Sequence, residues 1–247
     1  GDVYKRQVKE EGILAGVEIA RKVFEKFDPE LKMTVYINDG AHVKPGDIAF
    51  EVEGSVRSLL QTERVMLNIM QRMSGIATQT AKYQQRLDGL KTKVLDTRKT
   101  TPGMRMLEKE AVRIGGGCNH RIGLFDMILI KDNHVDFAGG IKQAVEAARK
   151  YCAEKGKNLK IELEVRNEDE IRQALEAGVD RIMLDNFTPE RTREAVKLIN
   201  GAVEIESSGG ITLDTLRDYG ECGVDFISVG ALTHSVKGLD MSFKAVK

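Results

Sequence analysis

The chain has 247 residues, and its 38 Lys plus Arg balance 38 Asp plus Glu, for a formal net charge of zero. That balance excludes the global basic field that draws a protein to nucleic acid or an anionic membrane, leaving only local clusters of one sign. Hydrophobic residues at 41% and charged residues at 31% describe an ordinary globular protein, long enough for a large domain plus a small one. Cys118, Cys152 and Cys222 form no CxxC pair. A disulfide framework or structural zinc site is therefore not expected, and a cytoplasmic location is. No apolar run approaches the roughly 20 residues that span a bilayer, and the start lacks the charged-then-apolar pattern of a leader.

In chain order, the opening GDVYKRQ shows no periodicity and is set aside as an appended segment. Residues 32–56 alternate apolar and polar side chains around two turn signals, Asn38-Asp39-Gly40 and Lys44-Pro45-Gly46-Asp47. They predict two or three antiparallel strands in a small sheet. The pattern loosely resembles a lipoyl or biotinyl hairpin but lacks the carrier lysine, so a packing sheet is the better reading. His42 falls in its turn as a surface residue. Residues 57–88 predict one helix, whose buried face carries Leu59, Leu60, Val65, Met66, Leu67, Ile69, Met70 and Met73. Gly75 either interrupts that helix or marks a close contact.

After residue 92 the rhythm changes. Short apolar runs (KVLD, DMILIKDN, KIELEV, RIMLDN, VEIESSGG, DFISVG) alternate with amphipathic stretches such as GGIKQAVEAARKYCAE and TPERTREAVKLING. At least six strands in βα alternation predict a parallel sheet closed towards a barrel rather than an open doubly wound one. The expected division is a small α/β domain over 1–90 and an α/β barrel over 91–247. Barrel enzymes work at the C-terminal ends of their strands, and each run here ends in polar residues.

Those ends deliver two sets of opposite sign. Arg98 and Lys99 follow the first run, Asn119-His120-Arg121 and Lys131-Asp132-Asn133-His134 surround the second, and Glu162, Glu164 and Asp185-Asn186 belong to the next two. The cations suit carboxylates or phosphates, and the acidic pair suits a hard cation such as Mg²⁺. SSGGIT and SVGALT, on the last two strands, suit phosphate binding through backbone amides, with a helix expected to begin near Thr212. His234 reads as a cap and Cys118 as a small buried thiol. No Ser-His-Asp set or HExxH spacing is present.

The runs ERVMLNIMQRMSGIAT, DTRKTTPGMR, GGGCNHRIGL, IKDNH, IELEV, IMLDN and ESSGGIT, spread in order from about Gly12 to Ser242, resemble quinolinate phosphoribosyltransferases. The resemblance implies a small N-terminal α/β sandwich domain and an incomplete α/β barrel, with the C-terminal tail returning to the first domain, assembled as a homodimer. It implies transfer of phosphoribose from phosphoribosyl pyrophosphate to quinolinate with decarboxylation, using Mg²⁺, in NAD biosynthesis. By the same resemblance Arg98, His120 and Arg121 hold the two quinolinate carboxylates, while Thr97, Lys99 and Lys131 line that pocket. Arg64 reaches across the dimer, Glu164 and Asp185 serve the ribose and the Mg²⁺-pyrophosphate, and Ser208, Gly209, Gly210, Gly230 and Ala231 bind the 5′-phosphate. Lys99, Lys131, Glu164 and Asp185 are the expected catalytic set.

Two departures stand out. The family carries a further N-terminal helix and acidic loop ahead of the first residue here, and Glu110 stands where it commonly has an aromatic. Three rivals are a nicotinate-specific relative, another phosphate-binding barrel enzyme such as an isomerase or aldolase, and an inactive paralogue. The density of cations favours a dicarboxylate over nicotinate, and the expected catalytic positions are all occupied.

Overall fold

The computed structural model describes residues 2–246. Its elements run β1 (Asp2–Val8), β2 (Gly12–Ile13), α1 (Val17–Phe27), β3 (Lys32–Val35), β4 (His42–Val43), β5 (Ile48–Gly54) and α2 (Val56–Arg86). They continue with β6 (Lys93–Leu95), α3 (Arg105–Ile114), β7 (Ile128–Ile130), α4 (Asp132–Ala138), α5 (Ile141–Glu154), β8 (Ile161–Val165), α6 (Glu168–Ala177) and β9 (Arg181–Asp185). The last are α7 (Pro189–Ile199), β10 (Glu204–Ser208), α8 (Leu216–Gly220), β11 (Phe226–Ser228), α9 (Ala231–His234) and β12 (Met241–Ala245). The chain forms two compact units: Gly1–Lys82 with Lys99–Gly117 and Gly230–Lys247, and Tyr83–Arg98 with Cys118–Val229.

The first unit holds a four-stranded antiparallel sheet in the order β12-β1-β5-β3. Its core joins Phe24 of α1, Phe50 and Val52 of β5, Leu59, Met66 and Met70 of α2, and Met241 and Phe243 of β12. Burying each such side chain contributes about 1.5–3 kcal/mol. α2 is continuous through Gly75, which marks a close contact. A Cβ there would run into the backbone carbonyl of Lys237. Leu60 and Val65, read as buried from the pattern, are exposed, because the buried stripe of α2 follows Leu59, Met66, Met70 and Met73.

Two readings are corrected in this unit. The opening segment is not an appendage: Asp2–Val8 is a strand paired on both sides, with β5 and β12. Its pattern is masked because Arg6 occupies a fully buried position between Tyr4 and Val8 on the core face. His42 lies in β4, paired with β2, rather than in a turn, with Nε2 3.3 Å from Glu11.

The second unit holds a parallel sheet ordered β6-β11-β10-β9-β8-β7. β6 and β7, the first two strands in sequence, occupy its opposite edges, which is the incomplete α/β barrel expected from the sequence. Helix ends follow local rules. Asn167 caps α6 by accepting the Glu170 N–H at 3.0 Å, Thr188 caps α7 with Pro189 at its first position, and Gly178 and Asn200 close the two helices with positive φ.

The parallel register stacks one face of the sheet into rows. Glu162, Arg181 and Glu204 are neighbours across β8, β9 and β10; Glu164, Met183 and Glu206 form the next row; Asp185 and Ser208 the last. Charge therefore lines this face at three successive levels, rising towards the C-terminal strand ends.

Candidate active site

Across the two lower rows, His120 Nε2 lies 2.9 Å from Glu162 Oε2 and 3.4 Å from Glu206 Oε2, with Arg181 Nη1 3.4 Å from the same Glu206 oxygen. All four side chains are buried. Burial opposes a charge on His120, but Glu162 and Glu206 overcome it and lift its pKa to about 9. Burial and the charge of Glu206 push Glu162 up to about 7, whereas His120 and Ser228 hold Glu206 below the usual range against its own burial. His120 Nδ1 accepts the Arg121 N–H at 2.7 Å. In that arrangement the proton sits on Nε2 facing the carboxylates, and a fully protonated ring would require the Arg121 amide to turn away.

His120, Glu162 and Glu206 also offer donor atoms within 4.8 Å of one another. The direct 2.9 Å contact between His120 and Glu162 occupies the space a metal would need, and Arg181 supplies the compensating charge. This cluster reads as a support under His120. Sequence reasoning singled out His120 and Glu162 but missed Arg181 and Glu206. Their signal was the interruption of otherwise apolar strands by charge at alternate positions.

Above that level the sequence-predicted residues gather at the strand ends. Asp96, fully buried after β6, accepts the His120 N–H at 2.8 Å and so sets the turn into Arg121. Arg121 is held below the ordinary guanidinium range, first by burial and then by the charge of Arg98. Arg98, His120 and Arg121 thus form one cationic edge. Lys131, at the N-terminus of α4, places Nζ 4.0 Å from Glu164 Oε2. Glu164 is raised by burial and then by Asp185 on the neighbouring strand. Two carboxylates close enough to repel each other are a fitting pair for a divalent cation.

Asp185 is followed by Asn186, whose φ of 54° is rare outside glycine and whose Nδ2 donates to Asp185 Oδ2 at 2.7 Å. Asn186 N–H donates to Ser208 O at 2.9 Å, so the ends of β9 and β10 are tied together. Gly209 has φ 101° and backs onto the Asn186 side chain, where a Cβ would collide. Gly210 has φ 63° with open space beyond it. The helix expected near Thr212 begins only at Leu216, because Thr212 N–H donates to Thr215 Oγ1 at 3.0 Å in a local turn. A five-residue helix adds little dipole, so any anion contact here falls to the Ser208–Gly210 backbone.

Lys99, Gly230 and Ala231 belong to the first unit, where a Cβ on Gly230 would lie 3.4 Å from Lys99 Cδ. Arg64 sits on the exposed face of α2 beside exposed Leu60 and Val65. Glu110 pairs with Arg113 on α3, Oε2 at 2.9 Å from Nε, at a partly exposed position. Cys118 is partly buried, and His234 Nδ1 lies 2.6 Å from Ser235 Oγ at the end of α9.

A parallel α/β sheet with cations, paired carboxylates and a glycine turn at its strand ends is the architecture of an enzyme acting on anionic, phosphorylated substrates. Comparison with known proteins narrows that class. The profile of the quinolinate phosphoribosyl transferase C-terminal domain matches residues 76–244 and that of the N-terminal domain residues 4–74. A Bacillus subtilis relative, a probable carboxylating nicotinate-nucleotide pyrophosphorylase, is 46% identical over 95% of this chain and 80% of its own length. A chloroplastic carboxylating nicotinate-nucleotide pyrophosphorylase of Arabidopsis thaliana is 45% identical over 96% of this chain and 72% of its own. The solved nicotinate-nucleotide pyrophosphorylase of Francisella tularensis superposes with a TM-score of 0.94 at 44% identity, covering 99% of this chain and 86% of that one. The chain belongs to the quinolinate phosphoribosyltransferase family.

Proposed function

We propose that this protein is a carboxylating nicotinate-nucleotide pyrophosphorylase, which converts quinolinate and phosphoribosyl pyrophosphate into nicotinate mononucleotide, pyrophosphate and CO₂ in NAD biosynthesis. The observation that carries the dicarboxylate specificity is the Arg98–Arg121 edge beside His120. The Arg121 guanidinium, held down by burial and then by the neighbouring charge of Arg98, gains most from a ligand whose two negative groups offset both cations. Thr97, Lys99 and Lys131 complete the pocket, and Arg64 enters it from a second copy in a homodimer. Exposed Leu60 and Val65 beside Arg64 give that copy an apolar surface to cover.

Ser208, Gly209 and Gly210, and separately Gly230 and Ala231, are the residues given to the 5′-phosphate, with Gly210 opening onto free space. Glu164 and Asp185 face the ribose and are the residues that would hold Mg²⁺ with its pyrophosphate. Bound there, Mg²⁺ would neutralise charge developing on the departing pyrophosphate. The same carboxylates favour positive character at the ribose carbon as that bond breaks. The quinolinate nitrogen attacks this carbon from the position that Arg98, His120 and Arg121 impose. The resulting ring cation accepts the electron pair released as the adjacent carboxylate leaves as CO₂, and a proton replaces it. Lys99 and Lys131 screen the repulsion between the two anionic substrates. The cytoplasm, with its reducing thiols, is the proposed location.

The test is turnover of purified protein with phosphoribosyl pyrophosphate, Mg²⁺ and either quinolinate or nicotinate. Nicotinate mononucleotide is expected from quinolinate alone, and only with Mg²⁺. Arg121→Ala is expected to abolish quinolinate turnover while phosphoribosyl pyrophosphate still binds. Product from nicotinate, or equal loss of both substrates in Arg121→Ala, refutes the dicarboxylate assignment.

A further inference from the structure

Glu108 of α3 is fully buried, and both its oxygens are engaged. Oε1 accepts from Arg72 Nε at 2.7 Å and Oε2 accepts the Thr101 N–H at 3.1 Å. Arg72 extends Nη2 in two further directions, donating to Thr101 Oγ1 at 2.9 Å and to the Thr233 carbonyl at 2.8 Å. Thr233 Oγ1 in turn donates to the Lys99 carbonyl at 2.9 Å. Further along the same face of α2, Gln79 Nε2 donates to the Ala231 carbonyl at 2.9 Å. Every member of this network lies in the first unit.

Glu108 is buried while Arg72 keeps part of its side chain in solvent, and such a pair is a poor source of stability, because desolvation of the carboxylate offsets much of the attraction. What this one supplies is geometry. The loop carrying Lys99 lies outside the sheets, and Gly230–Ala231 open the four-residue helix α9, where the Thr233 and His234 N–H groups bond back to the Gly230 carbonyl, so no sheet ladder joins the two segments to each other. A guanidinium is planar and forked, and here it reaches a carboxylate, a hydroxyl and a carbonyl at once.

We propose that Arg72 and Glu108 are positioning residues. They fasten the Lys99 loop to the Gly230–Thr233 segment and thereby hold the Gly230–Ala231 amides ready for the 5′-phosphate of phosphoribosyl pyrophosphate, with Lys99 fixed where it screens the two anionic substrates from each other. The fastening stands on the hydrogen bonds alone; only its catalytic consequence rests on the function proposed above. Neither side chain is required to touch substrate, and both act through the segments they hold.

The experiment is Arg72→Lys, read by amide hydrogen exchange and by steady-state kinetics. Lysine keeps the charge opposite Glu108 but cannot reach all three partners together. Exchange is expected to rise jointly over residues 99–104 and 230–234. KM for phosphoribosyl pyrophosphate should rise about tenfold, and KM for quinolinate, whose carboxylates are given to Arg98, His120 and Arg121, by several times less. Thr233→Val, which removes the hydroxyl bond to the Lys99 carbonyl and the longer, 3.4 Å one to the Gly230 carbonyl within the same segment, should shift both readouts in the same direction by less, and it carries the test if Arg72→Lys does not fold. Unchanged exchange in either segment overturns the fastening. Raised exchange with an unchanged ratio of the two KM values overturns the positioning role. If the unmodified protein shows no phosphoribosyl transfer at all, the function proposed above falls, and the exchange data still decide whether the fastening exists.

Discussion

Arg6 shows what a single residue can hide. It sits in the middle of β1 with no exposure, and among the described residues none of its three guanidinium nitrogens has a hydrogen-bond partner. Burial lowers its pKa to about 9, with Asp240 and Glu63 opposing. An apolar residue at this position would continue the core stripe of Tyr4 and Val8, and the strand would then have been legible in the sequence. Arg6→Met should therefore stabilise the fold, by an amount on the order of 2–4 kcal/mol, because an uncompensated buried charge is replaced by a side chain of similar reach. The sign with pH follows from the lowered folded-state pKa of a base. The deficit of the unmodified protein is full below about pH 9 and shrinks as pH rises through that value. Thermal melts of both proteins at neutral pH check this, and a lower Tm for Arg6→Met sinks it. The residues proposed for the site stood out in the sequence for a different reason. Arg98, His120, Arg121, Lys131, Glu164 and Asp185 are polar groups placed where apolar strands stop, and nothing in packing demands them there. Arg181 and Glu206 escaped notice because they lie within strands, where a charge looks like noise until the register pairs it.

At the scale of elements, the six parallel strands and the helices between them followed from their periodicity, whereas α1, α3, β1 and β12 did not. α3 is short and carries buried Glu108 and Lys109 on its inner face, charges that a sequence pattern assigns to solvent. β12 lies far in sequence from its partner β1, and no local pattern announces such a pairing. α2 joins the legible and the hidden. Its apolar stripe was visible, but the reason for Gly75 was not, since that depends on the Lys237 carbonyl lying against it. Gly75→Ala tests which effect dominates. Helix propensity alone favours alanine by about 1 kcal/mol. The new methyl would meet a backbone oxygen that cannot rotate away, and such overpacking typically costs about 1–3 kcal/mol. A net loss is expected, lowering Tm by a few degrees in a chain of this size. A Tm equal to or above that of the parent would mean that the segment at Lys237 yields freely, which would also weaken the case that α2 holds the chain around residues 230–238 firmly.

For the whole molecule, the decisive question is whether one polypeptide contains a complete site. Arg64 lies on an exposed face of α2 beside exposed apolar residues, and its proposed role needs a second copy. Two inactive variants answer this without any structure of the dimer. Arg64→Ala removes the residue given to the partner, and Arg121→Ala removes one that each chain keeps for itself. Each homodimer then lacks a group at both sites. In a mixed dimer, the site on the Arg64→Ala chain has its own Arg121 and receives Arg64 from its partner, so one of two sites is intact. Random reassortment makes half the dimers mixed, and activity should recover to about a quarter of the unmodified level. Recovery should follow subunit exchange in time and vanish if the dimers are cross-linked before mixing. If Arg64 instead served its own chain, every site in the mixture would still lack one of the two groups. Activity would then stay at the sum of the two variants.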